Sequence, residues 1–228
     1  MIDKIVQSVA DALAGVKDGA TVLVGGFGGA GMPHELIDGL IEQGACNLTL
    51  VANNAGSGET GLAAILKAGR VRKIICSFPR QADSHVFDGL YRAGKLELEL
   101  VPQGNLAERM RAAGAGVGAF FTPTGFGTDL ANGKETREIN GRMYVLEYPI
   151  RGDVALVQAE CGDRWGNLTY RKAARNFGPV IATAADLTVA QVFETVELGS
   201  LDPESIVTPG IFVKRVVRVA RRALGEAA

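Results

Sequence analysis

Two histidines, three cysteines and a single tryptophan are all that this 228-residue sequence holds of those residue types. Cys46, Cys76 and Cys161 form no C-x-x-C pair and are odd in number, which argues against a disulfide framework. With only His34 and His85 beside them, no cluster has the spacing of a metal site, so no metal is expected. An excess of one charge is missing too. The 24 basic and 25 acidic residues leave a net charge of -1, which excludes broad attraction to nucleic acid or an anionic membrane. No signal peptide and no apolar run of 18 residues is present, so a cytoplasmic protein without a membrane span is expected. Repeats and low-complexity tracts are absent.

What is present is apolar and regularly patterned. Hydrophobic residues make up 47% of the chain, enough to bury a substantial core as one domain over residues 1–228. Apolar runs near 20–25, 47–52, 71–77 and 96–101 read as strands. Helical patterns near 3–14, 33–44, 60–68, 83–93 and 104–113 fall between and around them. Such alternation predicts an α/β fold with an open, mostly parallel sheet and helices on both faces. Residues 135–146 read as a hairpin about Asn140-Gly141, whereas Val154–Ala159 and Val180–Thr183 read as further buried strands. In Lys214–Arg222 the apolar residues recur at helical spacing, which predicts a basic helix face.

The segment Asp18–Pro33 is the most informative. An apolar strand, Val22-Leu23-Val24, runs into Gly25-Gly26-Phe27-Gly28-Gly29-Ala30-Gly31, and Pro33 then opens a helix. Glycines at such a turn let a ligand approach the backbone, and free N–H groups at a helix start favour anions. Gly26 to Gly31 also satisfies G-x-G-x-x-G, the dinucleotide fingerprint. That site wants an acid about 20 residues on for the ribose hydroxyls. Here the second strand ends in Asn53-Asn54-Ala55-Gly56, an amide pair in place of the acid.

The opening block as a whole resembles the first signature of the family I CoA-transferases: Asp18-Gly19, a hydrophobic strand, Gly25-Gly26-Phe27, Gly31 and Pro33 match each required position. The likeness continues through Asn53–Gly56, Pro102–Arg109, Thr122–Thr128 and Arg171–Pro179, nearly the whole chain. It implies the smaller, A-type subunit of an enzyme that moves coenzyme A between carboxylic acids by double displacement. Coenzyme A would be a substrate and not a permanent cofactor. The family's nucleophilic glutamate lies in a Ser-Glu-Asn-Gly motif, which this sequence does not contain. The resemblance therefore implies a B-type partner that carries it, commonly in an assembly of two A and two B subunits.

Site expectations follow. The resemblance puts coenzyme A near Gly25, Gly26, Phe27, Gly28, Gly29, Ala30 and Gly31, although those glycines could equally serve loop packing. Asn53 and Asn54 end a strand at the ligand edge, where a side-chain amide could donate to an oxyanion. They could equally be turn-formers. Gln103 follows the same logic. Glu59 and Glu108 are local carboxylates expected on helix surfaces, and Cys76 a buried thiol. Within the family, Cys76–Gln81 and Gly162–Arg171 look most like members that carry CoA from succinyl-CoA to 3-oxoadipate. Acetoacetate or another short acid is the alternative acceptor. A far carboxylate wants a guanidinium, which makes Arg80 the candidate against a surface pairing with Asp83; Arg164, Arg171 and Arg175 are alternatives. A non-catalytic effector-binding role would call for a DNA-binding segment, and residues 1–17 are too short for one.

Overall fold

The computed structural model describes residues 2–222. Strands β1 (Ile5–Val6), β2 (Thr21–Val24), β3 (Leu48–Asn54), β4 (Val71–Phe78) and β5 (Glu97–Leu100) alternate with helices α1 (Val9–Leu13), α2 (His34–Gln43), α3 (Leu62–Lys67), α4 (His85–Arg92) and α5 (Gln103–Ala115). The second half is richer in strand. β6 (Phe120–Thr122), β7 (Thr136–Ile139) and β8 (Arg142–Glu147) make a small antiparallel sheet. β9 (Gly152–Asp163), β10 (Leu168–Thr169), β11 (Ala185–Val196) and β12 (Arg215–Arg218) join the large one, with one further helix, α6 (Gly178–Thr183). Among the described residues no helix is long and apolar enough to cross a membrane.

The large sheet runs β1-β12-β11-β9-β2-β3-β4-β5, and every pairing on that path is parallel. Only β10, folded back on β9, is antiparallel. All seven residues of β3 are buried, as a strand covered on both faces requires. One core holds Leu36, Ile37 and Leu40 of α2, Leu62 and Ile65 of α3 and Phe87 of α4; the other holds Leu106 and Met110 of α5 and Ile181 of α6. Helices thus cover both faces, as expected.

Three segments depart from the sequence reading. Residues 3–14 split into β1 and α1, because β1 pairs with β12 and the Ser8 hydroxyl then caps the Asp11 N–H at 3.0 Å. Val180–Thr183 is the end of helix α6, since Pro179 suits a helix's first turn and Gly114 of α5 offers Thr183 a side-chain-free surface. Lys214–Arg222 is not a helix face. It contains strand β12, whose Val216 and Val217 enter opposite cores. A four-residue strand with one apolar pair between arginines does not separate the two periods. Three of the segment's five basic groups are also committed: Arg215 donates to the carbonyls of Ala12 and Ala14 at 2.9 and 2.7 Å, Arg221 pairs with Glu160, and Arg222 donates to Glu35 at 2.8 Å. The hairpin forms as read, with Asn140 and Gly141 both at positive φ.

Arg109 of α5 links the small sheet to the large one, with Glu147 of β8 at 3.7 Å on one side and Glu99 of β5 on the other. Glu99 on β5 accepts from Lys73 at 2.5 Å and Arg109 at 3.0 Å, and Arg109 also donates to the carbonyl of Tyr148 at 2.7 Å. Glu147, almost wholly buried, accepts from Lys134 at 2.7 Å. Burial works against a charged Glu99, but the bonds from Lys73 and Arg109 outweigh it and hold its pKa below the ordinary value of 4.5. A depressed carboxylate stabilises the fold above the ordinary value, and that contribution is lost as pH falls through the folded-state pKa. Denaturant midpoints measured against pH should therefore fall on acidification below about 4.5, and Glu99→Gln should flatten that slope.

Candidate active site

The direction of chain travel changes between β2 and β9. From β2 the chain steps through α2 to β3, β4 and β5; from β9 it steps through α6 to β11 and β12 on the other side. Helices α2 and α6 belong to opposite cores, so a crevice opens at the carboxyl ends of the strands between them. The glycine segment fills that position. Phe27 and Ala30 exchange N–H to carbonyl bonds at 3.0 and 3.1 Å, forming a tight turn with Gly28 and Gly29 at its tip.

Most of the loop's donors already have partners. Gly25 N–H donates to Leu156 O at 3.0 Å, and Gly26 N–H to Asn176 Oδ1 at 3.1 Å. Asn176 in turn donates through Nδ2 to Ala30 O at 2.9 Å. Gly31 has φ +72°, and a Cβ there would sit 2.3 Å from Ala174 O, so backbone packing alone demands glycine. The start of α2 is also engaged, with Leu36 N–H donating to the buried Gln191 at 3.1 Å. The tip is what remains open: among the described residues Gly28 and Gly29 N–H meet no protein acceptor, and added side chains there would meet open space.

Asn53 and Asn54, adjacent on β3, face opposite sides of the strand and differ accordingly. Asn54 Oδ1 accepts from Gly56 N–H at 2.8 Å, the turn-forming alternative. Asn53 Oδ1 accepts from Gln103 Nε2 and from Ser77 Oγ, both at 2.8 Å. Asn53 lines a groove of about 440 Å³ together with Phe27, Gly28, Ser77, Phe78 and Gln103, and among the described residues its Nδ2 bonds no protein group. Gln103, expected as a donor on the same logic as Asn53, donates to the Asn53 oxygen. Ser77 was not singled out in the sequence; its position one residue from the end of β4 is the only signal that it bears. A second, more enclosed cavity of about 210 Å³ lies beside the groove, lined among others by Gly28, Asn54, Ser57, Thr60 and His34. Gly28 and Gln81 line both, and so mark the junction.

No carboxylate lines either space. Glu59 is exposed and paired with Lys67 at 2.7 Å, and Glu108 with Arg111 at 2.7 Å. Burial pushes the Cys76 thiol up to about 12, which leaves it inert. Arg80 lines neither space. Its Nε donates to Asp88 at 2.7 Å and its guanidinium lies over Phe87, whereas Asp83, the expected partner, bonds His85. Among the described residues no group of three His, Cys, Asp or Glu side chains could hold a metal ion.

At the switch point of this open parallel sheet lie a glycine turn and a hydrogen-bonded amide, with no carboxylate lining the spaces beside them. The family model for coenzyme A transferase matches residues 6–219, and the chain belongs to that family. Within it the chain is of the A type. It is 68% identical over its whole length to the A-type chain of 3-oxoadipate CoA-transferase from Pseudomonas putida, covering 99% of that protein. It is 66% identical to the chain of the same name from Acinetobacter baylyi, over 96% of each. An acyl-CoA transferase from E. coli O157:H7, solved as a thioester complex with CoA, superposes with a TM-score of 0.86 over 99% of this chain at 22% identity, which speaks for the fold alone. This chain spans about half (52%) of that longer one.

Proposed function

We propose that the chain, a single unit over residues 1–228, works with a B-type partner to move coenzyme A from succinyl-CoA to 3-oxoadipate. The observation that carries this reading is the 68% identity, over the full length, to a protein named for that acceptor. The partner's glutamate, in a Ser-Glu-Asn-Gly motif, attacks the thioester carbonyl of succinyl-CoA. The tetrahedral oxyanion collapses to a mixed anhydride and CoA thiolate. The thiolate then attacks the glutamyl carbonyl, releasing succinate and leaving a glutamyl-CoA thioester. A carboxylate oxygen of 3-oxoadipate attacks the glutamyl thioester carbonyl, breaking its C–S bond to release the thiolate and form a second anhydride, and the thiolate's return to the oxoadipyl carbonyl yields 3-oxoadipyl-CoA and free glutamate. Covalent catalysis divides one difficult exchange into steps between oxygen and sulfur.

In this reading Asn53 Nδ2 donates to the oxyanions, Gln103 and Ser77 hold it in place, and the Gly25–Gly31 loop meets coenzyme A through Gly28 and Gly29. Phe27 and Phe78, 52% and 63% exposed at the mouth of the groove, form an apolar surface that a partner would cover. Two A and two B subunits in the cytoplasm, with coenzyme A as substrate and no resident cofactor, complete the proposal. Co-expression with the B-type partner, followed by assay with succinyl-CoA, tests it. A higher kcat/KM for 3-oxoadipate than for acetoacetate is expected; preference for acetoacetate, or no transfer to 3-oxoadipate, would overturn the acceptor.

A further inference from the structure

The second cavity, beside the groove, has a lining that points to a ligand. Met32 and Leu62 supply apolar surface, while Ser57, Thr60, His34 and Gln81 supply polar groups. Among the described residues the side chains of Ser57, Thr60 and Gln81 bond no protein group, and His34 Nδ1 is buried without a partner. His34 Nδ1 is shielded by protein, and a shielded polar atom ordinarily has a partner, so its lack of one is an exception that an occupant of this space would remove; Ser57 and Gln81 are half-buried and Thr60 is exposed. The walls are also tied together. Gly58 N–H donates to Asp83 O at 2.8 Å, joining the turn after β3 to the loop after β4. Gly56, at φ +87°, lies so close to α3 that a Cβ would stand 2.3 Å from Ala63 N.

We propose that this cavity is the acyl-tail pocket, in which Ser57, Thr60, His34 and Gln81 hold the far carboxylate of a six-carbon oxo-diacid. The inference rests on the CoA-transfer reading above and adds where the acceptor's length is measured. With the reacting carbonyl at Asn53, the chain passes the junction at Gly28 and Gln81 and enters the cavity. Its methylenes lie on Met32 and Leu62, and its far carboxylate meets the polar end. A succinyl group is two carbons shorter and stops nearer the junction. Arg80, turned to Asp88 outside the cavity, is then not the reader of that carboxylate.

The test uses the assembled two-subunit enzyme and two rates: transfer from succinyl-CoA to 3-oxoadipate, and exchange of labelled succinate into succinyl-CoA. Thr60→Leu adds bulk to the cavity's lining and removes a donor. The expected result is a fall of about tenfold or more in the ratio of the two kcat/KM values, the scale on which a pocket discriminates a small group. Thr60→Ser, which keeps the hydroxyl, should restore most of the ratio. Ser57→Val provides the same reading if the leucine variant does not assemble. Equal losses in both rates, or an unchanged ratio in every assembled variant, would overturn the pocket. An unsubstituted enzyme that exchanges succinate but ignores 3-oxoadipate would instead overturn the acceptor assignment.

Discussion

Purified without a partner, the chain should show no succinyl-CoA-dependent transfer to 3-oxoadipate or acetoacetate, and a partner carrying Ser-Glu-Asn-Gly should restore it. The chemistry requires a carboxylate that can reach the thioester carbonyl, and neither space at the strand ends is lined by one. Glu59 and Glu108, the local alternatives, are solvent-facing, and their pKa values are held below the ordinary carboxylate value chiefly by hydrogen bonds from Lys67 and Arg111. In the complex, Glu59→Gln and Glu108→Gln should each leave kcat within about twofold, the ordinary range for surface substitutions. The assay is CoA transfer by the separate and mixed chains. Turnover by this chain alone would place the nucleophile here and reopen both residues.

Replacing Asn53 should produce the largest loss available from a single side chain of this protein. Asn53→Ala removes the amide and Asn53→Asp keeps its shape without the donor. Each should lower kcat by on the order of 10²- to 10³-fold, about 3 to 4 kcal/mol, with little change in KM, as loss of one oxyanion donor does in other acyl-transfer enzymes. Asn54→Ala provides the internal comparison. Its oxygen holds Gly56 N–H at 2.8 Å, so its loss should be read in thermal stability more than in kcat. Ser77→Ala should fall between wild type and Asn53→Ala, since one of the two donors holding the amide oxygen, Gln103, remains. The check is steady-state kinetics on complexes that co-purify intact. A fall confined to KM, with kcat preserved, would remove Asn53 from the reacting centre.

Local signals made much of the framework legible. The strands at β2 to β5, the helices between them and the Asn140-Gly141 hairpin follow from periodicity and turn chemistry, which act over a few residues. Misreadings arose where a short apolar run fits two periods. Val180–Thr183 became helix because α5 and Pro179 decide it, and Lys214–Arg222 contains a strand because β11 and β1 offer it edges on both sides. Each of these deciding neighbours, apart from Pro179, is distant in sequence.

The same division runs through the site. Neighbouring residues alone establish that a glycine turn ends β2, that amides and not acids end β3, and that no Ser-Glu-Asn-Gly nucleophile is present. Which donors stay free is a matter of long-range packing. Asn176, 150 positions from Gly26, occupies that glycine's N–H, and Gln103, 50 positions from Asn53, fixes the direction of its amide. Arg80 found Asp88 in place of Asp83, and the cavity walls came from α2, the turn after β3 and the loop after β4. A hydrogen bond satisfies one partner at the expense of another, and which partner lies within reach is set by how the strands are ordered across the sheet, which no stretch of consecutive residues records.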